Sequence, residues 1–91
     1  MTITPSDKFL ERSKKLFKKH PELREKVKFK LVTLQITPTH PGLELHKLIG
    51  KLNDVWAITI ERNIRLAFLY VSEGILLISI GTHDEIYRDL L

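Results

Sequence analysis

The chain has 91 residues, 43% of them hydrophobic and 29% charged, with no cysteine and a formal net charge of +4. That length supports one core, expected as a single domain over residues 1–91, and the composition excludes global disorder. Without cysteine there is no disulfide framework, thiolate metal site or cysteine nucleophile, and no apolar run approaches the roughly 20 residues of a membrane span.

Asp7 and Lys8 interrupt Met1 to Leu10, which therefore lacks the apolar run of a signal peptide, and a cytoplasmic location is expected. Thr2-Ile3-Thr4, closed by Pro5, suits a short edge strand. Ser6 is placed to cap a first helix, with Asp7 in its first turn. Phe9, Leu10, Leu16 and Phe17 recur at helical spacing. The helix should end near His20, because Pro21 disfavours helical backbone in the residue before it. Pro21 then opens a second helix. Leu23, Val27, Leu31 and Leu34 form one stripe, and Phe29, Val32 and Ile36 are expected to widen it, burying this helix more deeply than the first. The short join makes the pair an antiparallel hairpin. Residues 37–50 are expected to be a loop, turning at Pro38, Pro41-Gly42 and Gly50.

From Trp56 the hydrophobic period changes from 3.6 to 2. Trp56, Ile58 and Ile60 make one bulky row; Ile64, Leu66, Phe68 and Tyr70 make a second, and Leu76, Ile78 and Ile80 a third. Arg62-Asn63 and Ser72-Glu73-Gly74 are tight-turn sequences, so the rows form a three-stranded antiparallel meander. The predicted class is α+β: an N-terminal helical hairpin packed on a small antiparallel sheet with a short N-terminal edge strand. His83 to Leu91 reads as a polar tail with room for one helical turn.

Side chains two apart on a strand share a face. The bulky even-numbered positions should pack on the hairpin. The odd-numbered set is Ala57, Thr59, Glu61, Arg65, Ala67, Ser79 and Gly81, with His83 continuing the series, and it leaves a shallow open face. If the Arg65 strand is central, Arg65 and His83 meet at one edge of that face. A guanidinium gives fork-shaped donors to phosphate oxygens, and imidazole exchanges a proton near neutral pH. The pair therefore suits phosphodiester chemistry. Tyr87 returns to the same edge if the tail makes a turn, and His46 and Lys47 reach the rim from the loop.

Each residue also has a structural reading. His83 closes a strand, Arg65 pairs with Glu61 across the hairpin, Tyr87 plugs the tail, and His46 folds back on the loop. His20 and His40 read as surface residues. No metal site is expected, since His40 and His46 lack ligand spacing and His83-Asp84-Glu85 diverge. Residues 1–30 hold ten Lys/Arg against four Asp/Glu, and residues 31–91 hold five against seven. That asymmetry fits nucleic acid, an acidic protein or a well-solvated helix surface.

Four stretches together resemble the RelE/ParE superfamily of toxins from type II toxin–antitoxin systems, and most nearly its YafQ-like branch. They are His46-Lys47-Leu48-Ile49-Gly50, Trp56-Ala57-Ile58, Arg65-Leu66-Ala67-Phe68 and Ile80-Gly81-Thr82-His83-Asp84-Glu85-Ile86-Tyr87. The resemblance implies a RelE-like fold and a ribosome-dependent mRNA endoribonuclease that uses no metal or other cofactor. In that chemistry the substrate's 2′-hydroxyl attacks the adjacent phosphate, leaving a 2′,3′-cyclic phosphate and a free 5′-hydroxyl. By the resemblance His83 is the acid, and His46 is the base with Glu61 the alternative. Arg65 stabilises the phosphate, Tyr87 stacks on or orients a nucleotide, and Lys47, Lys51 and Arg62 contact the RNA backbone. The implied partners are a ribosome with mRNA in its A site and a cognate acidic antitoxin, in a hetero-oligomer whose antitoxin covers the basic helices.

The sequence departs from the YafQ-like pattern in one region. That branch has a further histidine and an Asp-Trp pair where Ile60-Glu61-Arg62-Asn63-Ile64-Arg65 stands here, and the lysine cluster of RelE proper on the middle strands is missing. Two other functions fit the same fold. One is a ParE-like inhibitor of DNA gyrase that binds protein and cleaves no RNA; the other is a non-toxic relative that only binds an antitoxin.

Overall fold

Pro5 ends the first strand, β1 (Thr2–Pro5), and Ser6 turns the chain into a helix. The Ser6 hydroxyl accepts the Phe9 N–H at 3.1 Å and donates to the Ile78 carbonyl at 3.2 Å, so the cap also pins the helix start to a strand. The computed structural model describes residues 1–48 and 54–90. After β1 come α1 (Asp7–Lys19) and α2 (Leu23–Ile36), and a 3-10 turn over Pro41–Leu43 follows them. Next come β2 (His46–Lys47), β3 (Trp56–Glu61), β4 (Ile64–Val71), β5 (Gly74–Gly81) and α3 (His83–Leu90). The predicted turn at Gly50 lies outside the described residues.

Among the described residues the strands form one sheet in the order β1-β5-β4-β3-β2. The β3-β4-β5 meander is antiparallel as expected, but β1 runs parallel to β5, so the sheet is mixed. β2 replaces part of the expected loop: two residues add to the free edge of β3, pairing His46 with Ala57 and Lys47 with Trp56. No described helix is long and apolar enough to cross a membrane.

The main core lies between the helical hairpin and one face of the sheet. Phe9, Val27 and Leu34 from the helices pack there on Ile58, Ile60, Leu66 and Phe68. The expected widening of the α2 stripe does not occur: Phe29 is 70% and Ile36 75% exposed, and Val32 is also exposed. At 3.6 residues per turn, Phe29 and Ile36 project about 200° and 180° from Val27, on the far side of the helix. α2 is a one-faced helix.

Two irregularities break the expected even–odd alternation. Between β4 and β5 the register shifts after Ala67, which opposes Ser79 while Phe68 opposes Leu77. Ile78 is the extra residue of this bulge, and beyond it the β5 faces exchange. Ile75 and Leu77 join the main core, while Ile78 packs on the opposite side. A second shift lies between Thr59 and Glu61, and it turns Glu61 towards α2, where its carboxylate sits 3.8 Å from Lys26 Nζ. Glu61 therefore does not share the face of Arg65, and the expected Arg65–Glu61 pair is absent.

The second sheet face is not open. The expected tail is instead α3, two turns long, and it covers that face through Ile86 over Ala57 and Ala67. Both alanines are fully buried. Their small side chains make room for a helix lying close to the sheet, not for substrate.

Gly74 permits the β1–β5 contact, since a Cβ there would stand 1.9 Å from the Thr2 carbonyl oxygen. Gly74→Ala is expected to push β1 off the sheet and cost about 1–3 kcal/mol. Hydrogen exchange should then accelerate at Thr2 to Pro5 while the β3–β4 pairing keeps its protection. Unchanged protection of β1 would contradict this packing.

Candidate active site

The α3 start is built by a reciprocal cap. Glu85 Oε1 accepts the Thr82 N–H at 2.8 Å, and Thr82 Oγ1 accepts the Glu85 N–H at 3.2 Å. This Thr-x-x-Glu capping box satisfies two backbone donors that the helix leaves free. Gly81 admits it, because a Cβ at that position would lie 2.7 Å from Glu85 Oε1. The other end of α3 is clamped from α1. Arg12 donates Nε to Asp89 Oδ2 at 2.7 Å and Nη2 to Oδ1 at 2.5 Å, and the Ser79 hydroxyl donates to the same carboxylate at 2.9 Å.

Three ionisations follow from this frame. The Arg12 hydrogen bonds hold the Asp89 carboxyl below its ordinary range, against burial, with Ser79 assisting. The Thr82 N–H does the same for Glu85, again against burial. Asp89 in turn raises the Arg12 guanidinium above its usual value.

Fixed in this way, the first α3 residue, His83, faces the start of β4. Arg65 opposes Thr59 on one side and Gly81 on the other, so its strand is central as expected. Its Nη1 donates to Thr59 Oγ1 at 2.9 Å, which steadies the guanidinium and leaves its other donors for a ligand. Arg62, Asn63, Arg65, Thr82, His83 and Asp84 line one shallow cavity of about 310 Å³. The guanidinium and imidazole predicted to converge do so, beside a second arginine from the β3–β4 turn.

His83 is 66% exposed at its side chain, and its Nδ1 lies 3.5 Å from Asp84 Oδ1. Its ring lies on that of Tyr87, one helical turn on, with centroids 4.5 Å apart and a tilt of 35°. Tyr87 is half-buried against the small core under α3, so its structural reading as a plug holds, and its ring also meets that of His83.

The other named residues lie away from this cavity. His46 opposes Ala57, two residues along β3 from Thr59, so it shares the Arg65 face. Strand spacing and rise put the His46 and Arg65 Cα atoms about 12 Å apart. His46 Nδ1 lies 2.8 Å from the Glu44 carbonyl oxygen. A carbonyl only accepts, so Nδ1 carries the proton and Nε2 is left as the basic nitrogen. Lys47 is turned to the opposite face, its Nζ 5.3 Å from the Trp56 ring centroid, and so does not reach the rim as expected. Glu61 faces α2. Lys51 lies outside the described residues. His40 folds back on its own turn, accepting the Gly42 N–H at 3.0 Å. Among the described residues no three His, Asp or Glu side chains gather as a metal site requires.

No protein-family model and no curated protein sequence matches the chain. Solved structures match it in fold, and the fold is the one shared by toxins of the RelE/ParE superfamily. YafQ from E. coli strain BL21(DE3) superposes with a TM-score of 0.77 at 21% identity, over 94% of this chain and 97% of YafQ. The E. coli DinJ–YafQ toxin–antitoxin complex gives 0.79 at 19% identity, over 94% of this chain and 96% of that one. The YoeB–YefM complex from Staphylococcus aureus gives 0.76 at 19%, over 91% and 97%. The resemblance read from the motifs thus holds at the level of the fold.

Because Asp89 and Glu85 are held below their ordinary values, their contribution to stability is complete above about pH 4.5 and is lost as pH falls further. Denaturant unfolding from pH 7 to pH 3 should show wild type losing stability below pH 4.5 more steeply than Asp89→Asn. At pH 7, Arg12→Leu strands a carboxylate that is 5% exposed and should cost about 3–5 kcal/mol. Equal acid sensitivity in wild type and Asp89→Asn would contradict the clamp.

Proposed function

We propose that the chain is the toxin of a type II toxin–antitoxin system and cleaves mRNA on the ribosome. The observation that carries this reading is the cavity in which Arg62, Arg65 and His83 meet. The chemistry needs cationic donors for the charge of a pentacoordinate phosphate, an acid for the leaving 5′-oxygen and a base for the 2′-hydroxyl. In this reading Arg65 binds the reacting phosphate, Arg62 contacts the backbone beside it, and His83 protonates the leaving group from a ring supported by Tyr87. Tyr87 also offers its remaining surface to a base. His46 is the base, through Nε2. Glu61 is set aside for that role because its carboxylate pairs with Lys26 behind the sheet.

The reaction closes without an outside reactant. The 2′-oxygen loses its proton to His46 and bonds to phosphorus, the P–O5′ bond breaks, and His83 supplies a proton to the departing oxygen. A 2′,3′-cyclic phosphate and a 5′-hydroxyl remain. An antitoxin partner is supported by the DinJ–YafQ toxin–antitoxin complex, one chain of which shares this fold, and its acidic character by the basic first third of this chain.

Primer extension on a reporter mRNA after brief induction without antitoxin tests the reading. Wild type should arrest growth and cut within translated codons. His83→Ala should slow cleavage about 10²–10⁴-fold and Arg65→Ala about 10²–10³-fold, with both proteins folded by circular dichroism. Undiminished cutting by His83→Ala would overturn the mechanism. Intact mRNA together with blocked gyrase supercoiling would replace it with the gyrase-inhibitor reading.

A further inference from the structure

A second cavity, of about 380 Å³, opens between the C-terminal half of α1 and the β5–α3 junction. Arg12, Lys15 and Lys19 line it from α1, His20 from the residue that ends that helix, and Thr82 and Glu85 from the opposite wall. Thr82 also lines the Arg65–His83 cavity. The two hollows are therefore neighbours across one residue, each with cations in its lining.

These cations are not equally free. Arg12 is committed to Asp89, and its Nη1 lies 3.6 Å from Glu85. His20 Nδ1 lies 3.5 Å from Glu22. Lys15 reaches Glu11 at 3.8 Å, but both side chains are more than half exposed, and such a pair contributes little. Lys19 has no acidic partner among the described residues. Lys15 and Lys19 stand one turn apart on α1, so they line the cavity from the same helix face. Glu85, the acid in its wall, is occupied by the Thr82 N–H and Arg12. What remains for a ligand is the Lys19 ammonium group and that of Lys15, held only by a weak exposed pair, beside a wall shared with the candidate active site.

We propose that Lys15 and Lys19 form a second phosphate subsite, which grips a flanking phosphate of the same RNA strand whose reacting phosphate lies at Arg65. The inference rests on the ribonuclease reading and extends it. A strand leaving the Arg65 cavity past Thr82 carries its next phosphates over α1, where a flexible point charge suits a backbone held without regard to sequence. An acidic peptide would also be drawn to lysines, but the wall shared with the Arg65 cavity favours a ligand that spans both hollows.

The test uses 2′-O-methyl oligouridylates, which lack the attacking hydroxyl and are not cut. A dinucleotide carries one phosphate, and a hexanucleotide extends past the first cavity. Wild type should bind the hexanucleotide more tightly than the dinucleotide. Lys15→Gln/Lys19→Gln should lose that gain and keep the dinucleotide affinity. The slope of log affinity against log salt for the hexanucleotide should become shallower by about 0.7, the value for one phosphate of a single strand. A double variant with wild-type gain and slope overturns the subsite. So does a variant that loses binding to a polyglutamate peptide while its hexanucleotide binding stays intact, which would assign the lysines to an acidic protein. Failure of the ribonuclease reading would show separately, as wild type leaving ribosome-bound mRNA uncut.

Discussion

The fork between Arg12 and Asp89 is the contact on which the arrangement of the site depends. α1 lies on one side of the sheet and α3 on the other, and this pair joins them past β5. An α3 of eight residues is too short to persist alone. It is held by Ile86 in the small core, by the Thr82–Glu85 cap and by this clamp. His83 is its first residue, so the imidazole has a defined position only while the helix is docked. The charge pair also places the basic face of α1 beside the β5–α3 junction, next to the cavity that holds Arg65.

Placing a charged clamp at the end of a small domain is costly unless both partners are satisfied. Here they are: the Asp89 carboxylate takes two donors from Arg12 and one from Ser79, and the described residues leave no buried side-chain polar atom without a partner. Ser79 is fully buried and would be a poor core residue without that bond. One strand residue that looks merely small in sequence is thus a hydrogen-bond donor that sets where α3 ends.

The main elements were legible because their signals are local. The Ser6 cap, the Pro21 break and the change of period at Trp56 each act within a few residues, and the structure follows them. The convergence of Arg65 and His83 was legible too, since strand pairing alone fixes it once β4 is central. What failed were inferences that carried the even–odd rule through an irregularity. Glu61 follows a register shift and faces α2; Ile78 sits in a bulge and faces α3, and neither shift is marked by glycine or proline. α3 reads in the sequence as a single turn where two stand, although the signal for the longer helix is present. Thr82-x-x-Glu85 followed by Ile86 is a capping box before an apolar residue, and the polar composition of the segment masks it. The Arg12–Asp89 pair spans most of the chain, so no local rule could find it.

The same small residues invited a wrong conclusion and contain the right one. Ala57, Ala67 and Ser79 suggested an open surface for substrate, whereas they let α3 approach the sheet. A bulky residue at Ala67 would lift Ile86, and with it the helix whose first residue carries the imidazole. The buried positions beneath α3 therefore act on the candidate site through its geometry, while Arg62, Arg65 and His83 stand at its rim, at the ends of strands and the start of a helix. A sheet whose second face is closed by a short helix leaves that rim open, and those three side chains are gathered there.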